Sequence, residues 1–228
     1  MKKKLFALSL LFSVSACFVS CGDDDDDNDN GGGEQQTTPT NPENEAKIKA
    51  VDLGLSVKWC NCNLGSETPE GFGGYYGWGE TIEKEEYGYD NYLIESGSPV
   101  SCGWKNDFLS GKNITKTAND AAYVKLGDGW RMPTSAEMSE LIENCSIEET
   151  TVNGVVGIKL TGKTGNSIFL PKAGYKSNTD FYSESYNYWT SNPTKTNDGA
   201  SQLYGYGSTI KVNEGTRYKG LSIRPVKD

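Results

Sequence analysis

The chain contains no histidine, and that absence excludes more chemistry than any residue present suggests. Ser-His-Asp and Cys-His nucleophile systems need an imidazole as general base, and histidine metal centres disappear with it. Carboxylates and thiols remain. Glu80, Glu83, Glu85, Glu86 and Asp90 lie close in sequence and offer acid/base partners for glycoside hydrolysis. Closeness along a chain does not oppose two carboxylates across a cleft, however, and a solvated acidic loop accounts for them better. Cys60-Asn61-Cys62 has no second close cysteine pair to complete a metal centre. Residues 60 and 62 point to the same side of an extended strand, so each is expected to find its partner elsewhere.

Aromatic side chains bind rather than react. Tyr75, Tyr76, Trp78, Tyr182, Tyr186, Tyr188, Trp189, Tyr204, Tyr206 and Tyr218 sit near glycines. Trp59, Trp78, Trp130 and Trp189 read as core. Tyr182, Tyr186, Tyr188, Tyr204, Tyr206 and Tyr218 are the candidates for a ligand-binding surface, where amphipathic rings hold a glycan or a protein partner. Filling the core of a loop-rich β domain is the competing account. Arg131 and Arg224 could grip an anion, but structural arginines bonded to loop carbonyls or to an acid such as Glu137 are the preferred reading.

The elements that must position these groups begin with one helix. Thr134 is a good N-cap and Glu137 stands three residues on, where its carboxylate reaches back to the cap N–H. Pro133 keeps Met132 extended. Met138, Leu141, Ile142 and Cys145 recur at helical spacing, so a helix is expected over Ser135–Asn144. A shorter one is expected within Thr117–Leu126, on Ala118, Ala121, Ala122 and Leu126. Val51–Trp59 alternates apolar and polar residues and bends at Gly54. Ile147–Leu160 is β-branched on both sides of Asn153-Gly154, a two-residue hairpin turn. Ser167–Pro171, Tyr186–Ser191, Gln202–Tyr206, Thr209–Asn213 and Gly220–Val226 read as further strands, while residues 81–112 show no clean period. The sum is an α+β domain of short strands, two short helices and long loops.

The first residues give an address. Lys2, Lys3 and Lys4 precede an apolar run to Val19, too short for a comfortable membrane span and typical of a signal peptide. Cys17 and Cys21 both follow small residues, in patterns that resemble a bacterial lipobox. The acidic run after Gly22 favours Cys21 as the lipidated residue. Residues 1–20 are then a lipoprotein signal peptide, 21–46 an acidic disordered tether and 47–228 the folded domain. The tether carries six Asp and three Glu without a basic residue, so charge repulsion and its Gly and Pro oppose packing. Of the formal charge of −9, most belongs to this tether. The domain is near neutral, with no basic surface for nucleic acid.

Five motifs in order carry a resemblance: Val51-Asp52-Leu53-Gly54-Leu55-Ser56-Val57-Lys58-Trp59, Tyr76-Gly77-Trp78-Gly79-Glu80, Trp130-Arg131-Met132-Pro133-Thr134-Ser135-Ala136-Glu137, Tyr188-Trp189-Thr190-Ser191 and Gly220-Leu221-Ser222-Ile223-Arg224-Pro225-Val226. Together they resemble the Fibrobacter succinogenes major paralogous domain family, found in surface lipoproteins of Bacteroides-type bacteria. The resemblance implies a C-type-lectin-like fold, in the branch shared with formylglycine-generating enzymes, with N- and C-terminal strands paired. It also implies an outer-membrane, cell-surface location through the lipid. Formylglycine chemistry needs a late cysteine pair, and residues 146–228 contain no cysteine. Calcium is the metal such folds hold most readily, yet neither Glu-Pro-Asn nor Gln-Pro-Asp occurs, and Trp104-Lys105-Asn106-Asp107 is a loose echo of the second sugar motif. No cofactor and no metal site is therefore expected. The implied placement of the first strand beside the central helix suggests a Cys62–Cys145 disulfide, leaving Cys60 for Cys102; four cysteines allow three pairings. The expected function is non-enzymatic binding or adhesion toward a glycan or a protein. A carboxylate-based carbohydrate-active enzyme and a structural part of a surface assembly are the alternatives.

Overall fold

A computed structural model describes residues 47–92, 111–127, 129–196, 198–207 and 209–228, all within a compact unit that spans Thr40–Asp228. The signal segment, the tether, Cys21, Cys102 and the Trp104–Asp107 stretch lie outside the described residues. The architecture is α+β: antiparallel sheets with helices α1 (Ala121–Leu126) and α2 (Ser135–Asn144) among the described residues.

Helix α2 starts and stops where its sequence says. Thr134 is extended (φ −76°, ψ 162°) and its hydroxyl accepts from the Glu137 N–H at 3.2 Å, while Glu137 Oε2 accepts from the Thr134 N–H at 2.7 Å. This reciprocal box satisfies two backbone donors that the first turn would leave orphaned. Met138 and Leu141 are fully buried, with Ile142 and Cys145 packed at the margin of the same cluster. Helix α1 starts later than Thr117, because residues 114–120 are taken up by turns: Thr117 N–H bonds to Ile114 O and Asp120 N–H to Thr117 O. Asp120 then caps the helix by accepting from the Tyr123 N–H, and its buried carboxylate also accepts from the Met132 and Lys116 N–H groups. One aspartate thereby fixes α1 to the segment that leads into α2.

The two ends of the domain meet in one sheet. Strands β1 (Ala50–Val51), β2 (Lys58–Cys60), β3 (Trp130–Arg131) and β13 (Val226–Lys227) lie in the order β1-β2-β13-β3. Val51 pairs with Trp59, Trp59 with Val226, and Val226 with Arg131. The expected bend at Gly54 is present: φ is +74°, and Asp52 Oδ1 accepts the Gly54 N–H, a geometry that suits glycine alone among apolar residues. Hairpin β4–β5 (Ser146–Val152, Val155–Thr161) turns on Asn153 and Gly154 at φ +49° and +83° and continues to β6 (Ser167–Pro171). Strands β9 (Tyr186–Pro193), β10 (Gly199–Tyr206) and β11 (Thr209–Thr216) form a third sheet. The fourth joins β7 (Tyr175–Ser177), β8 (Asp180–Tyr182) and β12 (Gly220–Leu221), in the order β12-β7-β8.

One expected strand is divided. Gly220–Leu221 pairs with β7, whereas Val226 pairs with β2 and β3. Pro225 between them has no N–H to continue a ladder, and the Ile223 and Pro225 carbonyls accept from Leu64 and Cys60 instead. Trp59, Trp78 and Trp189 are wholly buried in the core, as expected. Trp130 is only half-buried, with the Lys227 ammonium 5.5 Å from its ring centroid.

Replacing Thr134 by Ala should lower unfolding stability by about 1 kcal/mol through loss of the cap, read as a lower urea midpoint with an unchanged slope. Thr134→Ser should retain most of it. Equal midpoints for the Ala and Ser proteins would show that the cap contributes nothing.

Candidate functional site

Hairpin β7–β8 organises an aromatic surface. Asn178 adopts φ +53° at its turn, a conformation that Asn tolerates. Gly174 enters the hairpin at φ +62°, where any side chain would collide with the Tyr182 carbonyl. Tyr175 and Tyr182 stand directly opposite each other, and their rings stack at 4.8 Å with planes 12° apart. The Lys219 ammonium lies 4.6 Å from the Tyr175 ring centroid. Partial burial pushes the Tyr175 phenol up, and Tyr182, Tyr204 and Tyr218 add to the shift because an anion there would feel theirs. Tyr204 of β10 and Tyr218 thus lie within electrostatic range of the stacked pair. Tyr89 extends the group by an edge-on contact with Tyr218 at 6.1 Å.

Tyr204 and Tyr206 alternate with Leu203 and Gly205 along β10, so they leave the sheet on its solvent face. Tyr206 is 65% exposed, the most open of the tyrosines in the candidate set, with Lys172 Nζ 5.2 Å from its centroid. On the other face of β8, Phe181 is exposed but tilts onto Phe72 and Tyr75, and Lys176 lies 5.1 Å from the Tyr75 ring. The surface is thus one of tyrosines and lysines.

The six candidate tyrosines divide. Tyr182, Tyr204 and Tyr206 are exposed and Tyr218 is half-buried, whereas Tyr186 and Tyr188 are wholly buried. The Tyr188 hydroxyl donates to the Pro171 carbonyl at 2.5 Å, and burial pushes the Tyr186 phenol up to about 12. These two are core residues because β9 is covered on both faces, so its alternation carries no outside. Sequence reading missed Tyr175, Lys219 and Tyr89. The available signal was the Asn178-Thr179 turn between Tyr175 and Tyr182, which makes the two tyrosines cross-strand partners.

The two arginines are structural. Arg131 grips Glu137 with both terminal nitrogens, at 2.8 and 2.6 Å, and donates from Nε and Nη2 to Asp228 Oδ1 at 2.9 and 2.6 Å. Arg224 is fully buried and donates to Asn63 Oδ1, the Cys60 carbonyl and the Phe169 carbonyl at 2.8–3.0 Å. Of the acidic stretch, Glu80 is buried and held by Lys84 at 2.9 Å, and Glu83 accepts from the Tyr76 hydroxyl at 3.3 Å. Among the described residues, no group of three or more Cys, Asp or Glu side chains is placed to hold a metal ion.

The thiols depart from expectation. Cys62 and Cys145 are both free, so the Cys62–Cys145 bridge is not formed. Cys145 sits beside Ile142 and Ile147 at the margin of the main core, while the Cys62 sulfur donates to the Ser66 carbonyl at 3.1 Å and faces Cys60 at 3.9 Å. The chain leaves strand geometry just after Cys60, which turns the two sulfurs toward each other rather than outward to separate partners. Cys102, the partner expected for Cys60, is outside the described residues.

The Arg131 cluster has a pH signature. Burial alone would push the Glu137 carboxyl up, but the Arg131 guanidinium and the Thr134 N–H outweigh it and hold it below the ordinary glutamate value. Arg131 and Lys116 likewise hold Asp228 low. A carboxyl depressed in the folded state contributes stability that is present above its unfolded pKa and lost as pH falls through its folded one. Stability should therefore fall on acidification below about pH 4. Glu137→Gln should be less stable at neutral pH and show a shallower acid limb in pH-dependent urea melts. Parallel limbs for the two proteins would refute the role.

Comparison with protein-family models, with curated proteins and with solved structures finds no match for this chain.

Proposed function

We propose that the chain is a cell-surface lipoprotein, anchored in the outer membrane through Cys21, that displays residues 47–228 as a non-enzymatic binding or adhesion domain. The ligand is a glycan or a protein. The observation that carries this reading is the exposed tyrosine surface: the Tyr175–Tyr182 stack with Lys219 over the Tyr175 ring, and Tyr204 and Tyr206 open on the solvent face of β10. Stacked and edge-on rings offer flat apolar faces rimmed by hydroxyls, which suit the CH faces and hydroxyls of sugars and equally the aromatic hot spots of a protein interface.

The finer reading of the fold as C-type-lectin-like rests on the pairing of β2 with β13 at the two ends of the domain, on the long loops and on the five-motif resemblance to the Fibrobacter paralogous family. The address rests on the basic and apolar leader, the cysteine at its end and the acidic tether. An enzymatic reading is less well supported, because Glu80 and Glu83 are engaged by Lys84 and Tyr76 within the fold.

Two experiments test the proposal. Mass spectrometry of the mature protein should find an acylated Cys21 as its first residue; acylation at Cys17, or an unacylated secreted product, overturns the anchor. On a glycan array, the full chain should bind a defined subset. Tyr182→Ala/Tyr204→Ala should weaken that binding by roughly tenfold or more, equivalent to about 1.4 kcal/mol, with an unchanged urea midpoint. Unchanged affinity in that double variant would remove the surface from the proposal, and an array with no bound glycan would leave the protein ligand.

A further inference from the structure

Arg224 is a buried cation whose hydrogen bonds all go to neutral oxygens: an asparagine amide and two backbone carbonyls. Charges taken out of water are ordinarily paired. The ionisable groups whose negative forms this guanidinium feels are the Tyr188 phenol and the thiols of Cys60 and Cys62. Tyr188 is no source of charge, since burial pushes its phenol further up and its proton is engaged by the Pro171 carbonyl. The two thiols remain. Their sulfurs are 3.9 Å apart, Arg224 Nη1 holds the Cys60 carbonyl at 3.0 Å, and the Ser66 carbonyl accepts from Cys62 at 3.1 Å.

We propose that Cys60 and Cys62 form a two-electron thiol–disulfide site, with Cys60 as the attacking sulfur and Cys62 as the resolving one, whose substrate is a low-molecular-weight disulfide. The Cys60 thiolate attacks one sulfur of the disulfide, forms a mixed disulfide and expels the other half as a thiolate, which takes up the proton that Cys60 gave up. Cys62 then loses its proton, attacks the Cys60 sulfur and expels the second half as a thiol. Two protein thiols and one disulfide become one intramolecular bond and two small thiols, so the electrons lost by the cysteines reduce the substrate.

The asymmetry between the sulfurs follows from their surroundings. The side-chain contact with Cys62 comes first, the Cys62 backbone and Arg224 add to it, and together they bring the Cys60 thiol down to about 7 against the opposing effect of burial. The same contact pushes the Cys62 thiol up. A thiolate with a pKa near ambient pH is the most effective attacker in exchange. A metal cation fits less well, because the buried guanidinium repels it and two thiols supply too few ligands. Both sulfurs are buried, so exchange needs local opening; β1, a two-residue strand at the edge of its sheet, pairs Ala50 with Cys60, and short edge elements of this kind open locally at little cost. The site is independent of the tyrosine surface.

Reduced full chain, freed of reductant, should be equilibrated with mixtures of reduced and oxidised glutathione, quenched in acid, alkylated and digested without reduction. The peptide that holds both cysteines should become two hydrogens lighter and refractory to alkylation, in the wild type and equally in Cys102→Ser/Cys145→Ser. Its rate of formation should rise through pH of about 7. Cys62→Ser should accumulate a glutathione adduct on Cys60, whereas Cys60→Ser, in which Cys62 stays buried and bonded to the Ser66 carbonyl, should form its adduct more slowly. Full alkylation of both cysteines in the most oxidising mixture, or a bond from either to Cys102 or Cys145, would overturn the site. The opposite pattern of adducts would overturn the assigned order of attack.

Discussion

The Arg131 guanidinium is the constraint on which the fold most depends. Its fork closes on Glu137, which is also the reaching-back half of the α2 capping box, and its remaining donors hold Asp228, the last residue of the chain. Strand β3, the start of the main helix and the end of the chain are therefore fastened at one point. Asp228 also carries Lys116 at 2.5 Å, which extends the network to the turn before α1. Removing Glu137 would leave the guanidinium, whose side chain is 7% exposed, with the half-exposed Asp228 as its carboxylate partner, and breaking one side of a buried pair costs more than the intact pair contributes.

Sheet order follows from this fastening. With β13 held against β3 on one side, β2 takes its other edge, and Trp59 enters the main core beside Leu141, Tyr188 and Val226. The second apolar cluster forms around Trp78 and Trp189, whose indole N–H groups are satisfied by the Thr190 and Tyr76 carbonyls at 2.8 Å. These reciprocal bonds explain the aromatic-glycine stretch: Tyr76-Gly77-Trp78 and Tyr188-Trp189-Thr190 exchange ring N–H donors for each other's backbone carbonyls, and Gly77 leaves the room that the Glu80 carboxylate fills. With its large rings used inside, the domain presents Tyr182 on the β7–β8 hairpin, Tyr204 and Tyr206 at the end of β10 and Tyr89 in a loop among its described residues.

Much of this was legible along the chain because the signals are local. The capping box of α2 depends on residues three apart, the β4–β5 turn on one Asn-Gly dipeptide, and the Gly54 bend on one positive φ. The structural roles of Arg131 and Arg224 could be anticipated, because a buried guanidinium needs acceptors and the neighbouring sequence offers a glutamate and loop carbonyls. The short pieces were less legible. Strands β7 and β8 are three residues each, too brief for a period, and residues 117–120 read as helix although turns occupy them. The strand expected over Gly220–Val226 was divided by the missing N–H of Pro225, a local fact whose consequence depends on which neighbours lie on each side.

Sequence alone determined that this chain cannot use imidazole chemistry, where its main helix begins and ends, and that its acidity belongs to the stretch before the domain. These are properties of residue type and near spacing, and no folding is needed to read them. Tertiary structure alone decided which tyrosines face outward. Tyr186 and Tyr188 have the same chemistry as Tyr204 and Tyr206 and similar alternation, but β9 is covered on both faces and the end of β10 on one. It also decided that Cys60 and Cys62 face each other beside a buried guanidinium from the far end of the chain. A side chain's surroundings are set by residues more than a hundred positions away, and only packing brings them together.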